Sequence, residues 1–267
     1  MLDLAYRDEH LIVVNKPANM LVHRSMVDRY ETEFVMQKLR DQIGMHVYPL
    51  HRLDKPTSGA LLFATSSDVA KQVQPQFAEH RVEKHYVAVV RGFVEVPMLI
   101  DYPLAEKLDK MTDNLAKVND KKDAITKLAP IASIQIPLPV SRYPSARFSL
   151  LKLSPITGRK HQLRRHMAHI RHPIIGDTTH GDGKQNRFAR EQLSFPRLAL
   201  HAHSISFFHP VHSKMVHVKC KFDDAFTCLL RQFSRNTHVS IHSDVERKIY
   251  AGACLLDLIS DKSIQDA

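Results

Sequence analysis

Apolar residues in this chain come in short runs, each stopped by a polar corner, a glycine or a proline. None approaches the ~20 residues a membrane-spanning helix needs. That pattern restricts the fold to short strands laid beside short helices. Leu2–Tyr6 and Leu11–Val14 read as strands either side of the corner Arg7-Asp8-Glu9-His10. Thr32–Ile43 has helical spacing, and Gly44 is placed to cap its end. Ala60–Ala64 reads as a buried strand, and Ser67 as the cap of a helix reaching His80. Lys84–Val90 alternates with β-branched residues and reads as a strand closed by Arg91-Gly92.

Lys107–Asp123 is rich in Lys and Asp and reads as an exposed loop. Ile125–Ile136 and Arg147–Leu153 are strand-like, and His161–Ile170 is a helix with an apolar stripe at Leu163, Met167 and Ile170. Gly176–Gly183 and Lys184–Arg190 read as loop, Leu198–Phe208 as one or two strands, and Asp223–Phe233 as a helix. Past Asn236 the pattern weakens, with Ile249–Ile259 left as a candidate short helix. Irregular alternation of strand and helix favours a mixed α/β or α+β fold over a regular doubly wound sheet.

Charge says what such a fold would touch. The 267 residues carry a net charge of +10. From Ala124 to Gly176 there is no acid, against nine Lys or Arg. At the average acid frequency, roughly five or six acids belong there, and one-sign clustering suits a phosphate-binding face. Three scattered cysteines exclude a disulfide framework or a CxxC metal site. The first residues lack a basic leader followed by an apolar run, so no signal peptide is expected, and a cytoplasmic location is.

Three segments carry the candidate chemistry. In HRLDKPTSG, Asp54 stands beside His51 and Arg52, and Pro56 and Gly59 force a turn. A carboxylate on a rigid turn is held as a nucleophile or base requires. Taken alone, the segment reads first as a surface loop with a local Asp–Arg pair. In KHYVAVVRG, Tyr86 offers a ring to a base, or is a core tyrosine. In TGRKHQLRRHMAHIRHPIIGD, His161, Arg165, His169 and His172 fall near one helix face, and Arg164 sits at the edge between core and solvent. His166, His169 and His172 invite a metal reading. The absence of HExxH and the local positive charge argue against it.

Together the order HRLDxxTSG, KxYxAxVxG, GRxHQLRxH and HPIIGD, after an opening DEHLIVVNKPANMLVH, resembles the RluA-type pseudouridine synthases from about residue 1 to about 233. The resemblance implies a pseudouridine synthase fold: a central, mostly antiparallel curved sheet with helices and loops around an RNA-binding cleft. Residues 1–235 would form the catalytic domain and 236–267 an extension of unassigned role. No small N-terminal RNA-binding domain is expected. The implied activity is isomerisation of uridine to pseudouridine, with base flipping and without cofactor or metal; no GxGxxG or GxxxxGK[ST] is present.

The resemblance also assigns roles. Asp54 is the essential carboxylate, Arg164 its partner, and Tyr86 the ring stacked on uracil, with a share in removing the C5 proton. Leu163 packs beneath the base. His51 and Arg52 face the RNA, Arg52 filling the space the base leaves. Arg159, Lys160, Arg165 and Arg171 hold phosphates. Pro56, the doubled arginine of HQLRRHMAHIRHPIIGD, the insertion LDKMTDNLAK and the run QNRFAR resemble the member that acts on uridine 65 of tRNA. Arg171 departs from the wider family, which has glycine there. A monomer acting on tRNA is therefore expected. The rivals are a ribosomal-RNA substrate, a non-catalytic RNA-binding protein, and a metal hydrolase.

Overall fold

The computed structural model describes residues 1–24, 31–105, 120–235 and 240–241. In chain order the elements are β1 (Asp3–Arg7), β2 (Leu11–Lys16), α1 (Val35–Ile43), β3 (Tyr48–Pro49), β4 (Ser58–Ala64) and α2 (Ser67–Ala78). Then come β5 (Glu83–Arg91), β6 (Met98–Asp101), β7 (Leu104–Ala105), β8 (Lys121–Lys122), β9 (Ile125–Ile136) and β10 (Ala146–Pro155). The last are α3 (Gln162–His169), α4 (Gly183–Gln192), β11 (Leu200–His209), β12 (Lys214–Lys219), α5 (Asp224–Arg235) and β13 (Ser240–Ile241). The chain is an α+β fold. Most of the loop expected at Lys107–Asp123 and the helix expected at Ile249–Ile259 lie outside the described residues.

An 11-stranded sheet runs β1-β2-β4-β11-β5-β10-β9-β13, with β3 on β4, β12 on β11 and β6 on β9. Every pair in it is antiparallel except β4–β11, which is parallel. β4 is buried at all seven positions, as its unbroken apolar run after Gly59 anticipates. Where β4 enters the parallel pairing the strands nearly touch. Gly59 has φ 107, and a Cβ there would lie 2.2 Å from the Ala202 carbonyl oxygen, so only glycine fits. This glycine fixes where the HRLDKPTSG turn meets the sheet.

Several boundaries differ from the sequence reading for identifiable reasons. α2 is capped by Ser66, whose hydroxyl accepts the Val69 N–H, not by Ser67, and it ends at Ala78. α1 begins only at Val35, because Phe34 is held extended in a bridge to Leu21 and the Val35 and Met36 N–H groups bond the Leu21 and Val22 carbonyls. α4 occupies a segment that reads as loop: Asp182 caps it by accepting Lys184 and Gln185 N–H, and Phe188 and Ala189 are the apolar residues it buries, beside Gln185. Pro130 sits inside β9, and the β9–β10 register skips Ile131 beside it, a bulge that accommodates the missing donor. α3 ends at His169, so His172 leaves the face expected to carry it.

Candidate active site

The HRLDKPTSG turn carries Asp54 to the mouth of the sheet between β3 and β4. The Thr57 N–H bonds back to the Asp54 carbonyl at 3.0 Å, closing the turn. Lys16, at the end of β2, is fully buried, and its Nζ donates to the carbonyls of Pro17, Met20 and Lys55 at 2.9, 2.8 and 3.1 Å. One buried ammonium thus ties the end of β2 to the residue after Asp54. Burial pushes its pKa down to about 7, against the pull of the Asp54 charge.

α3 presents Leu163 and Arg164 inward, both buried. Arg164 lies deeper than a place at the edge between core and solvent suggests: its side chain is 5% exposed. It donates through Nη1 to Asp54 Oδ2 at 3.3 Å. Nε and Nη2 hold Asp177 in a two-pronged pair at 2.7 and 2.8 Å. Asp177 is 1% exposed and also accepts the N–H groups of Thr179 and His180 at 2.9 Å. Burial raises the Asp177 pKa, but Arg164 and those N–H groups outweigh it and hold the carboxyl below the usual carboxylate range. Burial likewise opposes the Arg164 charge, and Asp177 followed by Asp54 overcomes it. Asp54 itself keeps 21% of its side chain open to solvent. A buried, pre-aimed guanidinium meeting a half-open carboxylate is how a charge is held ready for chemistry.

Asp177 is the site residue that sequence reasoning missed. Its signal was the HPIIGD segment. Gly176, with φ 78, lets the chain pass where a Cβ would lie 1.8 Å from the Arg197 carbonyl oxygen. Tyr86 lies mid-strand in β5, paired with Leu153 of β10 and Ala202 of β11, and is 9% exposed. Burial first, and the Asp54 charge second, push its hydroxyl pKa well above the ordinary phenol value.

The other expected contacts divide. Arg52, Lys160 and Arg171 are exposed, and Arg171 adopts φ 64. Arg159 is exposed and spends Nε on the Asp123 carbonyl, while half-buried Arg165 spends Nη1 on that of Ala105. His51 is engaged in the sheet. Its Nε2 accepts the Leu62 N–H at 3.1 Å, its ring stacks on Phe77, and burial pushes its pKa down to about 3. A neutral ring so committed is a strut of the turn.

His166, His169 and His172 do not converge. His166 bonds Thr126 and the Tyr102 carbonyl, His169 stacks on Tyr102, and His172 bonds the Arg91 carbonyl. Elsewhere, Asp8, His209 and His212 bring ligand atoms within 4.8 Å of one another. His209 Nδ1 accepts the His212 N–H, so its proton sits on Nε2 and points at Asp8, 2.9 Å away. The nitrogen a cation needs carries a hydrogen, and the cluster lies about 17 Å along β2 from the Asp54 turn.

Among the described residues no helix is long and apolar enough to cross a membrane. Comparison with known proteins converges on one family. The family described as RNA pseudouridylate synthase matches residues 10–169, which hold Asp54, Tyr86 and Arg164. A Vibrio cholerae protein named tRNA pseudouridine synthase C is 53% identical over 234 residues, covering 87% of this chain and 96% of its own length. The protein of that name from Yersinia pestis is 52% identical over 235 residues, covering 87% and 91%. Among solved structures, human RNA pseudouridylate synthase domain containing 1 superposes with a TM-score of 0.64 at 27% identity, over 84% of both chains. By its sequence and its sheet alike, this chain belongs to the RNA pseudouridylate synthase family and is an RNA pseudouridine synthase.

Proposed function

We propose that this enzyme isomerises uridine 65 of tRNA to pseudouridine, with Asp54 as the carboxylate that acts at the ribose and Arg164 as its counter-charge. The single observation that carries the catalytic assignment is the 3.3 Å contact between Arg164 Nη1 and Asp54 Oδ2, made by an arginine already locked on Asp177. The tRNA substrate rests on relatives named tRNA pseudouridine synthase C at about half identity over most of the chain. Position 65 rests on the sequence's resemblance to the member that acts there.

The reaction breaks N1–C1′, turns the uracil and rejoins it through C5. It neither gains nor loses electrons, so this chain's own side chains suffice. A stem uridine must first leave its stack, at a cost of a few kcal/mol. Arg52 fills the gap, and Arg159, Lys160, Arg165 and Arg171 offer charge to phosphates, which position without reading sequence. Leu163 and the Tyr86 ring sandwich the base. Asp54 attacks C1′ or removes a ribose proton, and both routes use its charged form. Tyr86 keeps its own proton, because burial and Asp54 both oppose ionisation. In this reading its ring is the stacking platform for the uracil. The protein works in the cytoplasm as a monomer.

Two measurements check this reading. A tRNA transcript incubated with the purified protein should gain one pseudouridine, at position 65, and a transcript with cytidine there should gain none. Modification elsewhere in the molecule would reassign the target. Tyr86→Phe should stay within about threefold of wild type, while Tyr86→Ala should fall roughly 5- to 150-fold, the worth of one base stack. Equal losses would place the importance in the hydroxyl.

A further inference from the structure

Pseudouridine formation relocates one proton: C5 of the uracil loses it and N1 gains it. Some group must hold that proton meanwhile. We propose that His161, backed by His180, is a positioning residue that takes this proton from Asp54 and returns it. The proposal rests on the reading of Asp54 as the acting carboxylate.

The geometry singles out His161. Its Nε2 lies 3.9 Å from Asp54 Oδ1, the oxygen Arg164 leaves free. Its Nδ1 lies 3.1 Å from His180 Nε2. The His180 N–H is held by Asp177, which holds Arg164, which holds Asp54. The contacts close a ring around the carboxylate. His161 also adopts φ 56, the left-handed region that non-glycine residues avoid. It occupies the N-cap of α3 yet its side chain makes no cap hydrogen bond, so helix capping does not account for the conformation. Strain of this kind at a site points to function.

The proton balance is as follows. After C5–C1′ bonding, Asp54 removes the C5 proton: C–H breaks and O–H forms. The proton passes to the lone pair on His161 Nε2, giving an imidazolium whose Nδ1–H donates to His180. N1 takes the proton back by the same route, and all groups return to their starting charge. The 3.9 Å gap is apo geometry, of the kind that tightens when substrate seals a pocket.

His161 must be neutral to accept. Burial lowers its pKa most. Asp54 and Asp177 oppose that shift, and Arg164 and Lys160 reinforce it, so the net direction is down. Activity should therefore be full above that pKa and fall as pH drops through it, below the ordinary histidine value.

The test is single-turnover pseudouridine formation on a tRNA transcript from pH 5 to 9, with wild type, His161→Asn and His180→Leu. Asn enters the left-handed region readily, so the α3 cap is kept. His161→Asn should bind the transcript like wild type, lose about 100-fold in rate and lose the acid limb. With deuterium at C5 of the target uridine, this variant should slow further and wild type should not. His180→Leu, which removes the acceptor for Nδ1–H, should move the acid limb to lower pH. A His161→Asn rate within threefold of wild type, or a slow variant with an unchanged acid limb, overturns the proposal. So does a His180→Leu limb that stays in place, which decides the matter should His161→Asn fail to fold. If wild type itself makes no pseudouridine, the reading of the site fails instead.

Discussion

Asp54→Asn is expected to reduce pseudouridine formation by on the order of 10⁴-fold or more, because it removes the group on which every chemical step depends. The amide is isosteric and leaves the Thr57-to-Asp54 backbone bond and the Lys16 tether of the turn in place. Asp54 is partly open, so the fold does not lean on its charge. Transcript affinity should stay within about threefold, since phosphate contacts dominate it. Product counted by chemical mapping in a single turnover, beside a binding titration, separates the two effects. An asparagine variant with a tenth of wild-type rate would remove Asp54 from the chemistry.

Arg164→Met has the next largest effect, and it acts twice. Sequence alone suggests a variant that loses activity through Asp54 without unfolding. The geometry changes that expectation, because two of the three guanidinium contacts go to the buried Asp177. Methionine would strand a carboxylate that is 1% exposed, which costs about 3–5 kcal/mol. In a chain of this size that lowers Tm by about 10 °C. Activity should also fall at least about 100-fold, since Asp54 loses its counter-charge. Arg164→Met combined with Asp177→Asn separates the roles. Asn still accepts the Thr179 and His180 N–H groups without a charge to bury, so Tm should recover most of the loss and activity should not. Recovery of activity with Tm would make Arg164 a purely structural residue.

Legibility in the sequence followed from how local each cause is. The Asp54 turn was readable because Pro56 and Gly59 punctuate it, although the contact that makes Gly59 obligatory comes from Ala202 in β11. Strands β2, β4 and β5 were readable from short apolar runs, and α3 from its stripe. α4 was not, since a mostly polar helix held by an aspartate cap and little apolar contact carries almost no periodic signal. Asp177 was missed because its partner lies on another element, and a lone acid in a glycine-flanked loop reads as solvent-facing. His51 has a structural role that its sequence position does not show. A histidine beside Arg52 looks like an RNA contact, yet its ring is consumed by the Leu62 N–H and Phe77. Pairings across more than a hundred residues, such as Arg164 with Asp54, were accessible only through family resemblance.

The central claim is that one guanidinium serves catalysis through one carboxylate. A double-mutant cycle tests it most directly: single-turnover rates for wild type, Asp54→Asn, Arg164→Met and the double variant on the same tRNA transcript. If Arg164 acts through Asp54, the double variant should be no slower than Asp54→Asn alone, because the arginine then has no charge to hold. Losses that multiply, with the double variant slower by the full product of the two, would mean that the two groups act independently.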